Sequence, residues 1–157
     1  MRVGIGFDAH RLVDGKKLIL GGIEVPFEKG LLGHSDADVL LHAISDAVLG
    51  AISADDIGVH FPDSDASLKG IDSAVILARC AALAGEKGYR IISVDSVLVA
   101  EKPKISSFRS AMKEKIARIL GIGPEAVGIK GKTTEGLGFT GRGEGIAAHA
   151  VVLVEKL

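Results

Sequence analysis

Apolar positions in this chain follow two rhythms, a period of two and a period near 3.6. Arg2 to Leu12, RVGIGFDAHRL, reads as a strand. Alternate side chains of a strand share a face, so Asp8 and His10 point the same way. Gly33 to Gly50, GHSDADVLLHAISDAVLG, reads as a loop running into a helix, with Leu40, Ile44, Ala47 and then Ala51 forming an apolar stripe. Ser35 or Asp36 supplies the oxygen that caps this helix, and Asp36 and Asp38 put negative charge at its positive end. Asp38, His42 and Asp46 recur at steps of four and share a face. A histidine between two carboxylates on a buried helix has the pattern of a metal ligand with supporting groups.

The same rhythms organise the rest. Lys17–Leu20 and Ile23–Phe27 flank Gly21-Gly22 as a hairpin, and Glu28–Gly33 reads as a loop. Ser53–Lys69 has almost no period, and an irregular stretch of this length is often functional. Asp72 or Ser73 caps a second helix whose apolar side carries Val75, Ile76, Arg79, Cys80 and Leu83, ending at Gly85 and Gly88. Arg90–Ala100 is rich in β-branched residues and reads as a long strand. Ile105, Phe108, Met112, Ile116 and Ile119 or Leu120 mark a third helix, followed by strands at Val127–Lys132 and Ile146–Glu155. The pattern predicts an α+β fold in one catalytic domain, residues 1–157. A single mixed four-stranded sheet plus the short hairpin carries three helices on one face. The other face is apolar, which favours an oligomer over a sheet open to water.

Composition narrows the partners. The 157 residues are 47% hydrophobic with a net charge of −1, against the basic excess of a general nucleic-acid or anionic-membrane binder. Aromatic residues are 4% of the chain, too few for base-stacking platforms. No apolar run approaches the roughly 20 residues of a membrane helix, and the N-terminus carries no signal pattern. The single cysteine, Cys80, excludes an internal disulfide and reads as core. The cytoplasm is the default location.

Asp8, His10 and His42 are one carboxylate and two imidazoles, the donor set of a catalytic zinc ion with a free coordination position. Non-haem iron accepts the same set. Spacing alone leaves a second reading open, two unrelated histidines beside a solvated aspartate. Two glycine patterns mislead. Gly136-Leu-Gly138-Phe-Thr-Gly141 lacks the strand before and helix after it that dinucleotide binding demands, and Gly131-Lys132-Thr133 lacks the earlier glycine and following helix of a P-loop. That loop still offers backbone N–H groups, Lys132 and threonine hydroxyls to phosphate. Glu135 in such a loop suits Mg²⁺ bridging phosphate oxygens. Lys102, Lys104 and Arg142 add positive charge, so the residues reach metal-assisted phosphoryl chemistry as a class.

Five stretches go further: FDAH at 7–10, GLLGHSDADVLLHAISDAVLGA at 30–51, DIGVHFPDSD at 56–65, AEKPKI at 100–105 and KTTEGLGFTGRGEGIAAHAV at 132–151. Together they resemble the 2-C-methyl-D-erythritol 2,4-cyclodiphosphate synthase family, along the whole chain and in register. The resemblance implies a homotrimer with active sites between subunits, acting in the non-mevalonate route to isoprenoid precursors. It implies cyclisation of 4-diphosphocytidyl-2-C-methyl-D-erythritol 2-phosphate with release of CMP, a phosphorus–oxygen lyase reaction. By this resemblance Asp8, His10 and His42 hold Zn²⁺, and Glu135 contacts Mg²⁺ or Mn²⁺ on the diphosphate. His34 and Thr133 are the catalytic groups. By the same resemblance Ser35, Asp56, Ile57, Gly58 and Asp63 line the methylerythritol pocket, and Phe61 and Asp65 also bind substrate. Ala100, Lys104, Ile105, Lys132, Thr133 and Thr134 come from the neighbouring subunit and hold the cytidine diphosphate. Phe139 and Arg142 lie near a trimer axis where an isoprenoid diphosphate fits. The family usually has glycine where this chain has Asp55, and often proline where it has Ala66. Two other functions fit the same residues, a zinc-dependent phosphoesterase and a trimeric isoprenoid-binding protein without catalysis.

Overall fold

The structure is a computed structural model that describes residues 1–157. Seven strands form two sheets. The larger has five strands in the order β4-β1-β7-β5-β6: β1 (Arg2–Asp14), β4 (Lys29–Leu32), β5 (Tyr89–Val99), β6 (Val127–Lys132) and β7 (Gly145–Lys156). Only β5 and β6 run parallel; the other neighbours are antiparallel. The smaller sheet is the hairpin of β2 (Leu18–Leu20) and β3 (Ile23–Val25). Three long helices, α1 (Val39–Ala51), α3 (Ser73–Glu86) and α4 (Arg109–Leu120), accompany the one-turn helices α2 (Ile57–His60) and α5 (Gly138–Gly141).

The expected four-stranded sheet therefore has a fifth strand. Residues 29–32, KGLL, carry no β-branched side chain and look like a loop. They form β4 on the edge of β1 opposite β7, paired with the last four residues of β1. Arg11–Asp14 would otherwise leave N–H and C=O groups without partners, and Lys29–Leu32 pairs with them.

Helix α1 is the centre of the core. Its apolar stripe is buried as expected, but so are Val39, Leu41, Val48 and Leu49 on other faces, because β1 and β7 lie on one side and α3 on another. The approach to β1 is unusually close. A Cβ on Gly4 would sit 1.9 Å from Ala47 O, and one on Gly6 would sit 1.8 Å from Ala43 O. Small residues on both elements are what let strand and helix touch backbone to backbone.

The cap of α1 is also displaced from expectation. Asp38, not Ser35 or Asp36, is the N-cap, its Oδ1 accepting from Leu41 N at 3.1 Å. The same carboxylate accepts from Gly21 N at 3.0 Å and Gly22 N at 2.6 Å, so it clamps the hairpin turn onto the helix. Both glycines have positive φ, 61° and 74°, as this tight turn requires. Burial pushes the Asp38 carboxyl up, to about 6; the backbone amides pull against that push and Asp36 adds to it. Asp46 is likewise no partner of His42: it accepts from Ile57 N at 2.8 Å and holds the start of α2.

Two other helices differ in detail. In α3 the buried side is Ile76, Leu77, Cys80 and Ala84, while Val75 and Arg79 are exposed. Helix α4 begins at Arg109, after a turn in which Phe108 N donates to Ile105 O at 2.9 Å. Cys80 is 1% exposed, and burial pushes its thiol up to about 12, consistent with a core role.

Candidate metal centre

Asp8 and His10 leave the same face of β1, and His42 rises from the second turn of α1. The glycine-to-alanine contact between these elements brings the three side chains together. Asp8 Oδ2 is 2.8 Å from His10 Nε2 and 3.0 Å from His42 Nδ1, and the two ring nitrogens are 3.2 Å apart. Four ligands at bond lengths of roughly 2.0–2.1 Å around a tetrahedral zinc stand about 3.3 Å apart, so this triangle fits one face of that tetrahedron. The fourth direction opens on a cavity of about 230 Å³.

The rings are oriented from behind. His10 Nδ1 is 2.9 Å from Leu32 O. A carbonyl only accepts, so Nδ1 carries a hydrogen and Nε2 is the nitrogen left for a metal at the centre. Leu32 is the last residue of β4, so the strand hidden in the sequence is the one that orients His10. His42 Nε2 faces the hydroxyls of Ser73 at 2.9 Å and Ser35 at 3.1 Å. These outer partners were not legible as such; Ser73 reads in sequence only as a helix cap.

The electrostatics follow from the triangle. Burial pushes the Asp8 carboxyl up, but hydrogen bonds and charge from His10 and His42 overrule it and hold it at about 2. Burial pulls His10 down, and the Asp8 carboxylate more than reverses this, leaving it raised. A carboxylate ionised at neutral pH beside two imidazoles is a donor set matched to a divalent cation.

His34, Ser35, Ile57, Gly58, Phe61 and Asp63 line the same cavity as the three ligand candidates, with Gly33, Leu68, Ile71 and Ile76 completing its wall. His34 Nε2 is buried without a hydrogen-bond partner. A second cavity, of about 260 Å³, lies where β5 and β6 end. Ala100, Lys104, Ile105, Lys132 and Thr133 line it together with Glu101, Pro103 and Arg109.

A protein-family model described as the YgbB family matches residues 1–155. The chain belongs to the YgbB family. This YgbB-family chain is 57% identical over 155 residues to the 2-C-methyl-D-erythritol 2,4-cyclodiphosphate synthase of Geobacillus kaustophilus, covering 99% of this chain and 98% of the relative. It is 60% identical over 153 residues to the synthase of that name from Caldicellulosiruptor bescii, covering 98% of each. Among solved structures, a synthase of that name in its CDP-bound form superposes with a TM-score of 0.91 at 36% identity, covering 98% of this chain and 100% of that one. The bifunctional IspDF of Campylobacter jejuni matches with a TM-score of 0.96 at 36% identity; this YgbB-family chain is covered to 99% and spans 42% of that longer protein.

The remaining residues named from the resemblance lie outside both cavities. Asp56 caps α2, accepting from Val59 N at 3.2 Å. Asp65 accepts from Ser67 N at 2.9 Å and caps the short turn at Ala66–Leu68, so Ser53–Lys69 contains two brief helical turns rather than an unstructured loop. Thr134 turns inward to Leu137 O at 2.6 Å and Thr140 Oγ1 at 2.9 Å. Glu135 is exposed at φ 55°, near Thr133 Oγ1. Phe139 is 42% exposed, and Arg142 donates to Glu144 at 2.8 Å. Gly138 opens the single turn of α5 with no strand directly before it, so the glycine pattern there is a turn. No helix is long and apolar enough to cross a membrane.

Proposed function

We propose that this protein is a 2-C-methyl-D-erythritol 2,4-cyclodiphosphate synthase of the isoprenoid precursor route. The observation that carries the reading is the convergence of Asp8, His10 and His42 on one point at the floor of a cavity, in a chain that matches synthases of that name end to end. In the proposed reaction an oxygen of the 2-phosphate attacks the diphosphate phosphorus nearer the methylerythritol. The bond from that phosphorus to the bridging oxygen breaks, and CMP leaves with the electron pair. The nucleophile belongs to the substrate, so no activated serine, cysteine or water is required.

What the protein must do is bend an anionic chain until two phosphates meet. Positioning of this type supplies roughly 7–11 kcal/mol of a barrier. Asp8, His10 and His42 would hold Zn²⁺, and Glu135 a Mg²⁺ or Mn²⁺. When bound, these ions supply Lewis-acid polarisation and charge neutralisation at the phosphates. His34 lines the first cavity and its Nε2 has no hydrogen-bond partner within the chain, so its imidazole suits a phosphate oxygen. Ser35, Ile57, Gly58 and Asp63 shape the pocket for the sugar alcohol. Lys104, Lys132 and Thr133 suit the cytidine diphosphate, in keeping with the CDP complexes of the Plasmodium falciparum relative and the CDP-bound synthase.

A homotrimer would join the first cavity of one copy to the second cavity of the next. The outer face of the sheet supports that assembly: Val3, Ile5, Phe7 and Val151 are 66%, 72%, 53% and 43% exposed, an apolar surface that a second copy would cover. Phe139 and Arg142 would then approach the axis, where an isoprenoid diphosphate fits.

The test is CMP release from the cytidyl substrate with Mg²⁺, with and without a zinc chelator. Chelation, Asp8→Ala and His42→Ala are each expected to lower turnover by about a thousandfold, the several kcal/mol that such an ion contributes. Undiminished turnover in metal-free protein would overturn the zinc reading. Release of an open-chain diphosphate instead of a cyclic product would indicate a phosphoesterase. Isoprenoid binding without CMP release would indicate a binding protein.

A further inference from the structure

The groups behind His42 place a hydrogen on its Nε2. Asp36 is half-buried, and its carboxylate accepts from Asp38 N and from Ser73 N, each at 3.1 Å. Oδ1 also accepts the hydrogen of the Ser73 hydroxyl. Ser73 is 0% exposed. Its oxygen then has only lone pairs to present to His42 Nε2, 2.9 Å away. Nε2 must carry a hydrogen, so the nitrogen that can give up its own to a metal is Nδ1, the atom 3.0 Å from Asp8 Oδ2. Ser35 Oγ, 3.1 Å from Nε2, does not discriminate, since its hydroxyl can donate or accept.

We propose that Asp36 and Ser73 are positioning residues that hold His42 in the tautomer a metal ligand needs and so set the affinity of the site. The proposal deepens the reading of Asp8, His10 and His42 as a metal centre and rests on it. It also ties that centre to the cavity wall. Ser73 opens α3, and the segment just before it is held to the helix-entry loop by Gly70 N donating to His34 O at 2.8 Å and Asp36 N donating to Ile71 O at 3.1 Å. Leu68 and Ile71 of that segment line the cavity. The residue that orients His42 is therefore the anchor of the segment covering the substrate space.

Two measurements on the full chain test this. One is zinc affinity by competition with a chromophoric chelator. The other is whether His42 Nε2 carries a hydrogen in zinc-free protein, from long-range ¹H–¹⁵N spectra. Wild type is expected to show Nε2–H, with Nδ1 facing Asp8. Ser73→Ala keeps a helix-compatible residue at this position, and is expected to weaken zinc about 10–100-fold, as loss of an outer partner to a ligating histidine does. The same variant should shift His42 toward Nδ1–H. Asp36→Asn is expected to act in the same direction, because its amide can donate to Ser73 and release the serine hydrogen toward Nε2. Ser35→Ala is expected to leave the tautomer in place. If Ser73→Ala binds zinc like wild type and keeps Nε2–H, the proposal falls, whether or not Asp36→Asn folds. If Asp8→Ala also binds zinc like wild type, the metal-centre reading falls with it.

Discussion

The metal centre and the glycine-rich loop at 131–138 place their functional groups by opposite means. Asp8, His10 and His42 stand on a long strand and a buried helix, and Ser73 behind His42 is closed to solvent, 0% exposed. Three atoms proposed to share one ion tolerate little displacement, and regular elements joined backbone to backbone hold them within it. The loop is held instead by main-chain hydrogen bonds to a few side chains. Glu101 Oε1 accepts from Thr134 N and from Gly136 N, both at 3.2 Å, and Glu135 keeps a left-handed φ of 55°. Groups proposed to follow a flexible diphosphate sit on backbone that is organised locally and can adjust without disturbing the core.

The same substitution should therefore have very different effects in the two regions. Gly6→Ala would push a methyl group to 1.8 Å from Ala43 O, with main chain on both sides and no side chain free to yield. We expect a loss above about 3 kcal/mol in urea unfolding, beyond the usual cost of an added methyl group, together with loss of zinc binding. Gly136→Ala meets nothing within 4 Å and suffers only its positive φ of 78°. Its expected cost is about 1–2 kcal/mol. Equal losses would mean that the strand–helix contact is not what locates the ligands.

Asp38→Ala comes next. It removes the cap of α1 and leaves the turn amides of Gly21 and Gly22 without their acceptor, an expected loss of about 2–4 kcal/mol. The sign of its pH dependence follows from burial. With the folded carboxyl near 6 and an ordinary value of 3.8, the folded state keeps the Asp38 proton longer than the unfolded chain does. The stability contributed by Asp38 is then fully present below pH ~4 and declines as pH rises through ~6. The gap between wild type and Asp38→Ala should be wider at pH 4 than at pH 7 in paired urea titrations. A gap that widens with rising pH would show a carboxylate better solvated by its three amides than burial implies.

How far each region could be read from the sequence tracks how local its causes are. Strand β1 and helix α1 announce themselves by period, and with them Asp8, His10 and His42, because the signal lies within a dozen residues. Strand β4 does not, since KGLL becomes a strand only by pairing with the end of β1 on the edge away from β7, a fact about a partner elsewhere in the chain. The outer partners of His42 are hidden for the same reason: Asp36 and Ser73 are separated by the whole irregular stretch, and each looks like an ordinary helix cap by itself. Asp38 was legible as a residue sharing a face with His42, yet its bonds run to the hairpin, because a cap side chain turns back over the first turn rather than along the helix. In the loop, Thr133 and Glu135 are visible by type, whereas Glu101 becomes meaningful only once β5 and β6 lie side by side.

Glu101→Ala is expected to have the smallest effect on stability and the most selective effect on binding. Glu101 is half-buried at the end of β5, and its carboxylate serves two amides of a loop that contributes nothing to the core cluster. Unfolding should shift by less than about 1 kcal/mol, the net worth of one such contact beside water that can replace it. Loosening Thr133 and Glu135 should weaken CDP, measured by calorimetry, by about tenfold, the equivalent of 1.4 kcal/mol. Zinc affinity should not move, because no bond links Glu101 to the residues behind His10 and His42. Glu101→Gln keeps an oxygen acceptor where the two amides point and should restore most of the CDP affinity, which a requirement for the charge itself would not permit. Weakened zinc binding in the alanine variant would show that loop and metal centre are one mechanical unit and that the contrast between them is false.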